Sequence, residues 1–257
     1  MEPAISLIDV SKHYGDGPPA LGQATVRVGT REFLAVVGES GSGKTTLLRL
    51  INRLSEPSEG VVLVRGTNVQ DIDAIALRRS IGYVFQGIGL FPHLTVAENI
   101  TITPKLLRWS TARQDARAVE LLSLVRLDAS YATRFPHELS GGERQRVGVA
   151  RALAAEPDIV LMDEPFGALD PLTRDALGRD YRRMHESLGL TSVMITHDML
   201  EAMLLADRII VLQRGEVIAE GAPAALMRHE HPYVRELMAT PRRQAEQLAA
   251  FLNNRAS

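Results

Sequence analysis

The run Gly38-Glu39-Ser40-Gly41-Ser42-Gly43-Lys44-Thr45 fits the phosphate-loop template G-x-x-x-x-G-K-[ST]. Its flanks are those the template requires. Phe33-Leu34-Ala35-Val36-Val37 before it reads as a short buried strand, and Thr46-Leu47-Leu48-Arg49-Leu50-Ile51 after it as the start of a helix. Glycines let a backbone wrap closely around an anion. Successive N–H groups then form an anion nest, and the helix adds unpaired donors and its positive dipole end. Lys44 would bring a full charge to the β and γ phosphates and Thr45 a hydroxyl to Mg²⁺. Such a loop commits the chain to a strand–loop–helix unit in an α/β sheet.

The 257 residues suit one large α/β domain, or a core with a subdomain. The net charge of −2 implies no general steering field for nucleic acid. The absence of cysteine excludes disulfides, thiolate cluster ligation and cysteine nucleophiles. No basic segment followed by an apolar run opens the chain, so no secretory leader is expected. No apolar run approaches membrane-spanning length, so a membrane role would come through partners.

Strands are predicted at Ile5–Val10, Ala24–Val28, Phe33–Val37, Val61–Val64, Ile81–Phe85, Ile159–Met162, Ser192–Thr196 and Arg208–Leu212, and a helix at Leu172–Leu188. Strands alternating with helices argue a parallel sheet. The stretch Val96–Glu156 reads as a helical insertion in it. Only Gly15–Pro19 looks like a loose surface loop. Trp109 and the methionines read as packing residues, and the histidines other than His197 as surface or loop residues without metal-ligand spacing.

Two further constellations carry chemistry. Asp163 ends the apolar run Ile159–Met162, and strand carboxyl ends are where an open α/β sheet binds ligands. Asp163 could hold Mg²⁺, and Glu164 could polarise a water for attack on the γ phosphate. Leu139-Ser140-Gly141-Gly142-Glu143 precedes a stretch with Val147, Ala150, Leu153 and Ala154 on one helical face, and so offers a second phosphate-ready helix start. One nucleotide does not need two such sites in one chain, whereas two chains packed head to tail would each need one from the other. Alone, Tyr14 reads as a surface aromatic, Gln86 as a strand-end glutamine and His197 as a cap for the helix after it. Asp170-Pro171 reads as an N-cap followed by proline at the first helical position.

In this order the motifs resemble the nucleotide-binding subunit of an ATP-binding cassette (ABC) transporter, over nearly the whole chain. The resemblance implies a P-loop NTPase (RecA-like) α/β core, an N-terminal antiparallel β subdomain and an inserted α-helical signature-motif subdomain. The core would be about 1–88 and 157–230, the helical part about 89–156 and a helical tail about 231–257. Tyr14 matches the aromatic that stacks on adenine, and Gly38–Thr45, followed by Thr46, the Walker A loop. Gln86 matches the Q-loop glutamine, a further Mg²⁺ ligand, and Ser140, Gly141, Gly142 and Glu143 the signature motif. Asp163 and Glu164 match Walker B and the catalytic glutamate, Asp170 the D-loop and His197 the switch histidine. ATP and Mg²⁺ are the implied ligands. The implied partners are a second copy of the chain, integral membrane permease subunits and, indirectly, an extracytoplasmic substrate-binding protein, with no nucleic acid. The place would be the cytoplasmic face of the inner membrane.

Glu164-Pro165-Phe166-Gly167-Ala168-Leu169-Asp170-Pro171 resembles bacterial importers. Gln86-Gly87-Ile88-Gly89-Leu90-Phe91-Pro92-His93 resembles those importing quaternary amines such as glycine betaine, choline or carnitine, and His231–Leu237 is compatible with them. Leu-Phe-Pro-His segments also occur in sugar, polyamine and sulfate importers, so an importer of another solute, a polyamine, an amino acid or a sugar, stays open. So does a soluble cluster-assembly ATPase. No regulatory module beyond the core is expected. Ala245, Leu248, Ala249 and Leu252 predict a last amphipathic helix packed on the core or on a partner.

Overall fold

The computed structural model describes residues 2–256, with the side chains of 248, 250 and 252–256 outside the description. In chain order the strands are β1 (Ile5–Lys12), β2 (Leu21–Val28), β3 (Phe33–Gly38), β4 (Glu59–Val64), β5 (Thr67–Asn68), β6 (Ile81–Val84), β7 (Ile159–Asp163), β8 (Thr191–Ile195), β9 (Arg208–Gln213) and β10 (Glu216–Gly221). The helices are α1 (Lys44–Ile51), α2 (Ala74–Ser80), α3 (Val96–Leu106), α4 (Thr111–Leu124), α5 (Gly141–Leu153), α6 (Pro171–Leu188), α7 (Met199–Leu205), α8 (Pro223–Leu226) and α9 (Pro232–Ala256).

β3 lies inside a six-stranded sheet of order β10-β9-β3-β8-β7-β6, parallel to both neighbours, with β10 antiparallel at one edge. Side chains alternate across a strand. Phe33, Ala35 and Val37 therefore enter one core with Val160, Met162 and Met194. Leu34 and Val36 enter the other with Ile159, Leu161, Val193 and Ile195. Burial on both faces is why β3 and β7 carry unbroken apolar runs. The second core is closed by α1, through Leu47, Leu48, Leu50 and Ile51, and by a four-stranded antiparallel sheet β2-β1-β4-β5. The first core is covered by helices, and α3, α4 and α5 fill the chain between β6 and β7. All the parallel strands end toward the loops after β3, β6, β7 and β8, which brings distant residues to one rim.

Three sequence expectations are corrected here. His185 is not a surface residue: it lies 3% exposed on the inner face of α6 with Leu177, Tyr181 and Met184. Its Nδ1 is 3.0 Å from Ser192 Oγ and its ring 5.1 Å from that of Phe33. Burial, with Arg182 second, pulls its pKa down, so it is held neutral. Met227 is exposed rather than packed. The tail does form helix α9, anchored by buried Val234 and Met238, but Ala245 and Ala249 are exposed instead of lying on the core. The side chains of Leu248 and Leu252 lie outside the described residues.

Candidate nucleotide-binding site

β3 ends where Gly38 turns to φ 150°, and α1 starts after Gly43 at φ 101°. Neither position tolerates a side chain. A Cβ on Gly38 would stand 2.1 Å from the Leu212 carbonyl oxygen, and one on Gly43 2.3 Å from that of Ala20. Between them the loop curls around Lys44, whose Nζ donates to the carbonyls of Gly38 (2.8 Å) and Glu39 (2.7 Å). Burial lowers the pKa of this ammonium, while Glu164, Asp163 and Glu39 push it the other way. Inside the loop the buried Ser42 Oγ has no hydrogen-bond partner. A buried orphan hydroxyl is costly, and here it sits in a nest of backbone donors suited to phosphate oxygens.

The loop opens on a cavity of about 540 Å³ that brings together Tyr14, Ser40, Gly41, Gly43, Lys44, Thr45, Thr46, Gln86, Glu164 and His197. Tyr14 is exposed in the β1–β2 loop, its hydroxyl 3.1 Å from Ser55 Oγ and its ring 5.1 Å from Lys12 Nζ. The β7–α6 loop supplies Glu164. Its backbone holds φ 45°, costly for a non-glycine residue, and its N–H donates to Ile195 O at 3.0 Å. This kink turns the carboxylate toward two groups from other loops. Gln86 Nε2 donates to Glu164 Oε2 at 3.0 Å, and His197 Nδ1 lies 3.4 Å from the same oxygen. An acceptor carboxylate, an amide and an imidazole thus converge at the mouth of a phosphate-type loop. That set can hold and deprotonate a water and then donate to developing charge.

One strand position earlier, Asp163 lies 7% exposed. Burial first, and the adjacent Glu164 carboxylate second, push its pKa up. Thr45 Oγ1 faces Asp163 Oδ1 at 3.5 Å, too long for a strong hydrogen bond. Two crowded carboxylates beside a threonine hydroxyl form an oxygen donor set that fits a hard divalent cation. Gln86 spends its amide nitrogen on Glu164, which leaves its amide oxygen as an acceptor.

Ser140, Gly141, Gly142 and Glu143 lie elsewhere. With Asp170 they line a separate cavity of about 490 Å³ that shares no lining residue with the first. Ser140 caps α5 through a capping box: Ser140 N donates to Glu143 Oε2 (2.7 Å) and Glu143 N to Ser140 Oγ (3.3 Å). Tyr131 Oη donates to Glu143 Oε1 at 2.6 Å, and this bond, with those from Ser140, holds the Glu143 carboxyl below its usual range. Asp170 caps α6, accepting from Thr173 N at 3.0 Å, and Pro171 takes the first helical position. The helix-cap reading of His197 does not hold, because Asp198 is the residue that caps α7.

Sequence reasoning missed two groups around the site. Burial first, and the nearby Asp163 carboxylate second, push the pKa of Tyr83 on β6 up. Arg151 on α5 is 7% exposed and donates to Ile88 O and Gly89 O, both at 2.7 Å, so it pins the turn that carries Gln86. A lone charge inside the otherwise buried Val147–Leu153 face was the available signal.

The ABC transporter family matches residues 21–167. The choline transport ATP-binding protein OpuBA of Bacillus subtilis (strain 168) is 50% identical over 225 residues, 88% of this chain and 59% of that protein. The glycine betaine uptake system ATP-binding protein YehX of Escherichia coli (strain K12) is 45% identical over 233 residues, 90% of this chain and 75% of that protein. The chain thus spans about three-fifths of the length of the B. subtilis relatives it matches. Among solved structures, the ATP-binding cassette MJ0796, a dimer bound to ADP and Pi in a post-hydrolysis state, superposes with a TM-score of 0.76 at 37% identity. The match covers 85% of this chain and 98% of that one.

Proposed function

This chain belongs to the ABC transporter family, and from that premise we propose that it binds and hydrolyses ATP to drive uptake of a small solute by a bacterial importer. The observation that carries the reading is the convergence of Gln86, Glu164 and His197 on the rim of the Lys44 loop. In this reading Gly38–Thr46 and Lys44 hold the phosphates, and Tyr14 stacks on the base. Glu164 accepts the proton of the attacking water, with Gln86 and His197 orienting it and balancing charge. Thr45, Asp163 and Gln86 hold Mg²⁺, which when bound neutralises phosphate charge. Ser140–Glu143 and Asp170 complete the site of a second copy, which the separation of the two cavities in one chain supports.

The solute is a quaternary amine of the glycine betaine, choline or carnitine class, a reading supported by the two relatives named above and by the glycine betaine/carnitine/choline transport ATP-binding protein OpuCA of Bacillus subtilis (strain 168), 49% identical over 88% of this chain and 59% of that protein. The partners are then polytopic permease subunits and, through them, an extracytoplasmic binding protein, with this chain on the cytoplasmic side of the membrane. No helix among the described residues is long and apolar enough to cross a membrane, in keeping with a role played through such partners. The helices between β6 and β7 act as the signature-bearing subdomain, about 89–156.

Co-purification tests the whole reading. A tagged Glu164→Gln chain expressed in its native host and extracted gently from membranes should bring down permease subunits and a binding protein that takes up betaine or choline. Soluble partners only would contradict it.

A further inference from the structure

Arg174, in the first turn of α6, stands where two loops of the site meet. Its Nη1 lies 2.8 Å from Asp198 Oδ2, and its Nη2 donates to Leu169 O at 3.2 Å and Gly167 O at 3.4 Å. Asp198 directly follows His197 and is itself fixed twice. Its Oδ1 accepts from Glu201 N at 3.1 Å, and its N–H donates to Thr196 Oγ1 at 3.0 Å. Gly167 in turn packs close to the histidine: a Cβ there would stand 3.6 Å from His197 Cε1. One planar guanidinium therefore ties the loop between Glu164 and Asp170 to the loop that carries His197. Both side chains of the ion pair are about 30% exposed, so its direct contribution to stability is small. What the arrangement supplies is geometry. Three acceptors in fixed directions suit the rigid fork of arginine and cannot all be met by an ammonium.

We propose that Arg174, acting through Asp198, is a positioning residue for hydrolysis, one that makes the Gly167–Asp170 loop and the His197 loop move as a single body. The proposal rests on the ATPase reading above, and concerns how Asp170, offered to a second copy, and His197, at the water, are kept in register.

The test uses the full chain and four variants: Arg174→Gln, Arg174→Lys, Asp198→Asn and the double Arg174→Gln/Asp198→Asn. In Arg174→Gln, kcat should fall roughly 10- to 100-fold, the size of effect that an ångström of misplacement produces. KM, nucleotide affinity and thermal midpoint should stay near those of the unmodified chain. Arg174→Lys should recover only part of the loss, and the double variant should be no slower than the slower single variant. A normal kcat in Arg174→Gln, an equal loss of nucleotide affinity, or additive losses in the double variant would overturn the proposal. Hydrogen exchange reads the coupling without any turnover. Amides of 167–170 and 197–199 should lose protection together in Arg174→Gln, and loosening of one loop alone would overturn it. Joint loosening in Arg174→Gln, together with an unmodified chain that does not hydrolyse ATP, would sink the ATPase reading and leave the coupling standing.

Discussion

At Glu164 the chain accepts a strained φ of 45° to set one carboxylate oxygen within reach of both Gln86 and His197. Removing the carboxylate while keeping its shape is therefore the informative change. Glu164→Gln should retain nucleotide affinity and lose about 10²- to 10⁴-fold in kcat, measured by phosphate release, as loss of a general base does. Retained turnover would remove the role given to this residue. A second carboxylate is tuned by burial. Glu201 lies in the first turn of α7, and burial pushes its pKa up to about 7 from an ordinary 4.5. Its Oε1 has no hydrogen-bond partner. The unfolded chain therefore loses this proton first, and the folded state loses stability as pH rises from about 4.5 to about 7. Glu201→Gln should remove that loss. Its thermal midpoint should match the unmodified chain near pH 4.5 and exceed it above pH 7, by a stabilisation on the order of 3 kcal/mol. A midpoint difference that does not change with pH would contradict this.

At the level of elements, α5 shows how a capping box and a glycine-rich helix start share one sequence. Ser140 and Glu143 satisfy each other's backbone donors, and Gly141 leaves open space at the helix start. Ser140→Ala should cost about 1 kcal/mol in denaturant unfolding, the usual value of an N-cap; no loss would show the capping box to be idle. The buried strands β3 and β7 were legible in the sequence because burial on both faces demands unbroken apolar runs, and the phosphate loop because Gly38 and Gly43 are forced by close backbone approach. The cap role of Asp170 was legible for the same kind of local reason. His185, Arg151 and Arg174 were not. Each is a polar residue whose place is set by partners seven or more residues away in sequence or by the facing of a helix, such as Ser192 for His185 or the Gly89 carbonyl for Arg151. Only in three dimensions does Arg174 meet Asp198. Short two-residue strand β5 and edge strand β10 were missed as well, since neither has an apolar run long enough to stand out.

At the scale of the whole molecule, the protein holds two half-sites that do not meet. The Lys44 cavity has the phosphate loop with Gln86, Glu164 and His197, and the Ser140 cavity has a helix start and the Asp170 cap. Both face the loops at the ends of the parallel strands or of the helices between β6 and β7, so a second chain in reversed orientation could join each half to its complement. ATP would then act as the bridge between protomers, and hydrolysis would release them. The most direct measurement is the mass of the Glu164→Gln chain in solution by sedimentation, with and without ATP and Mg²⁺. The chain should run near its 28.2 kDa without nucleotide and at twice that mass with it, and a further Ser140→Arg change should abolish the doubling while leaving nucleotide bound. A chain that binds ATP tightly and stays monomeric, or that doubles equally well with Ser140 replaced, would contradict a site shared between two copies.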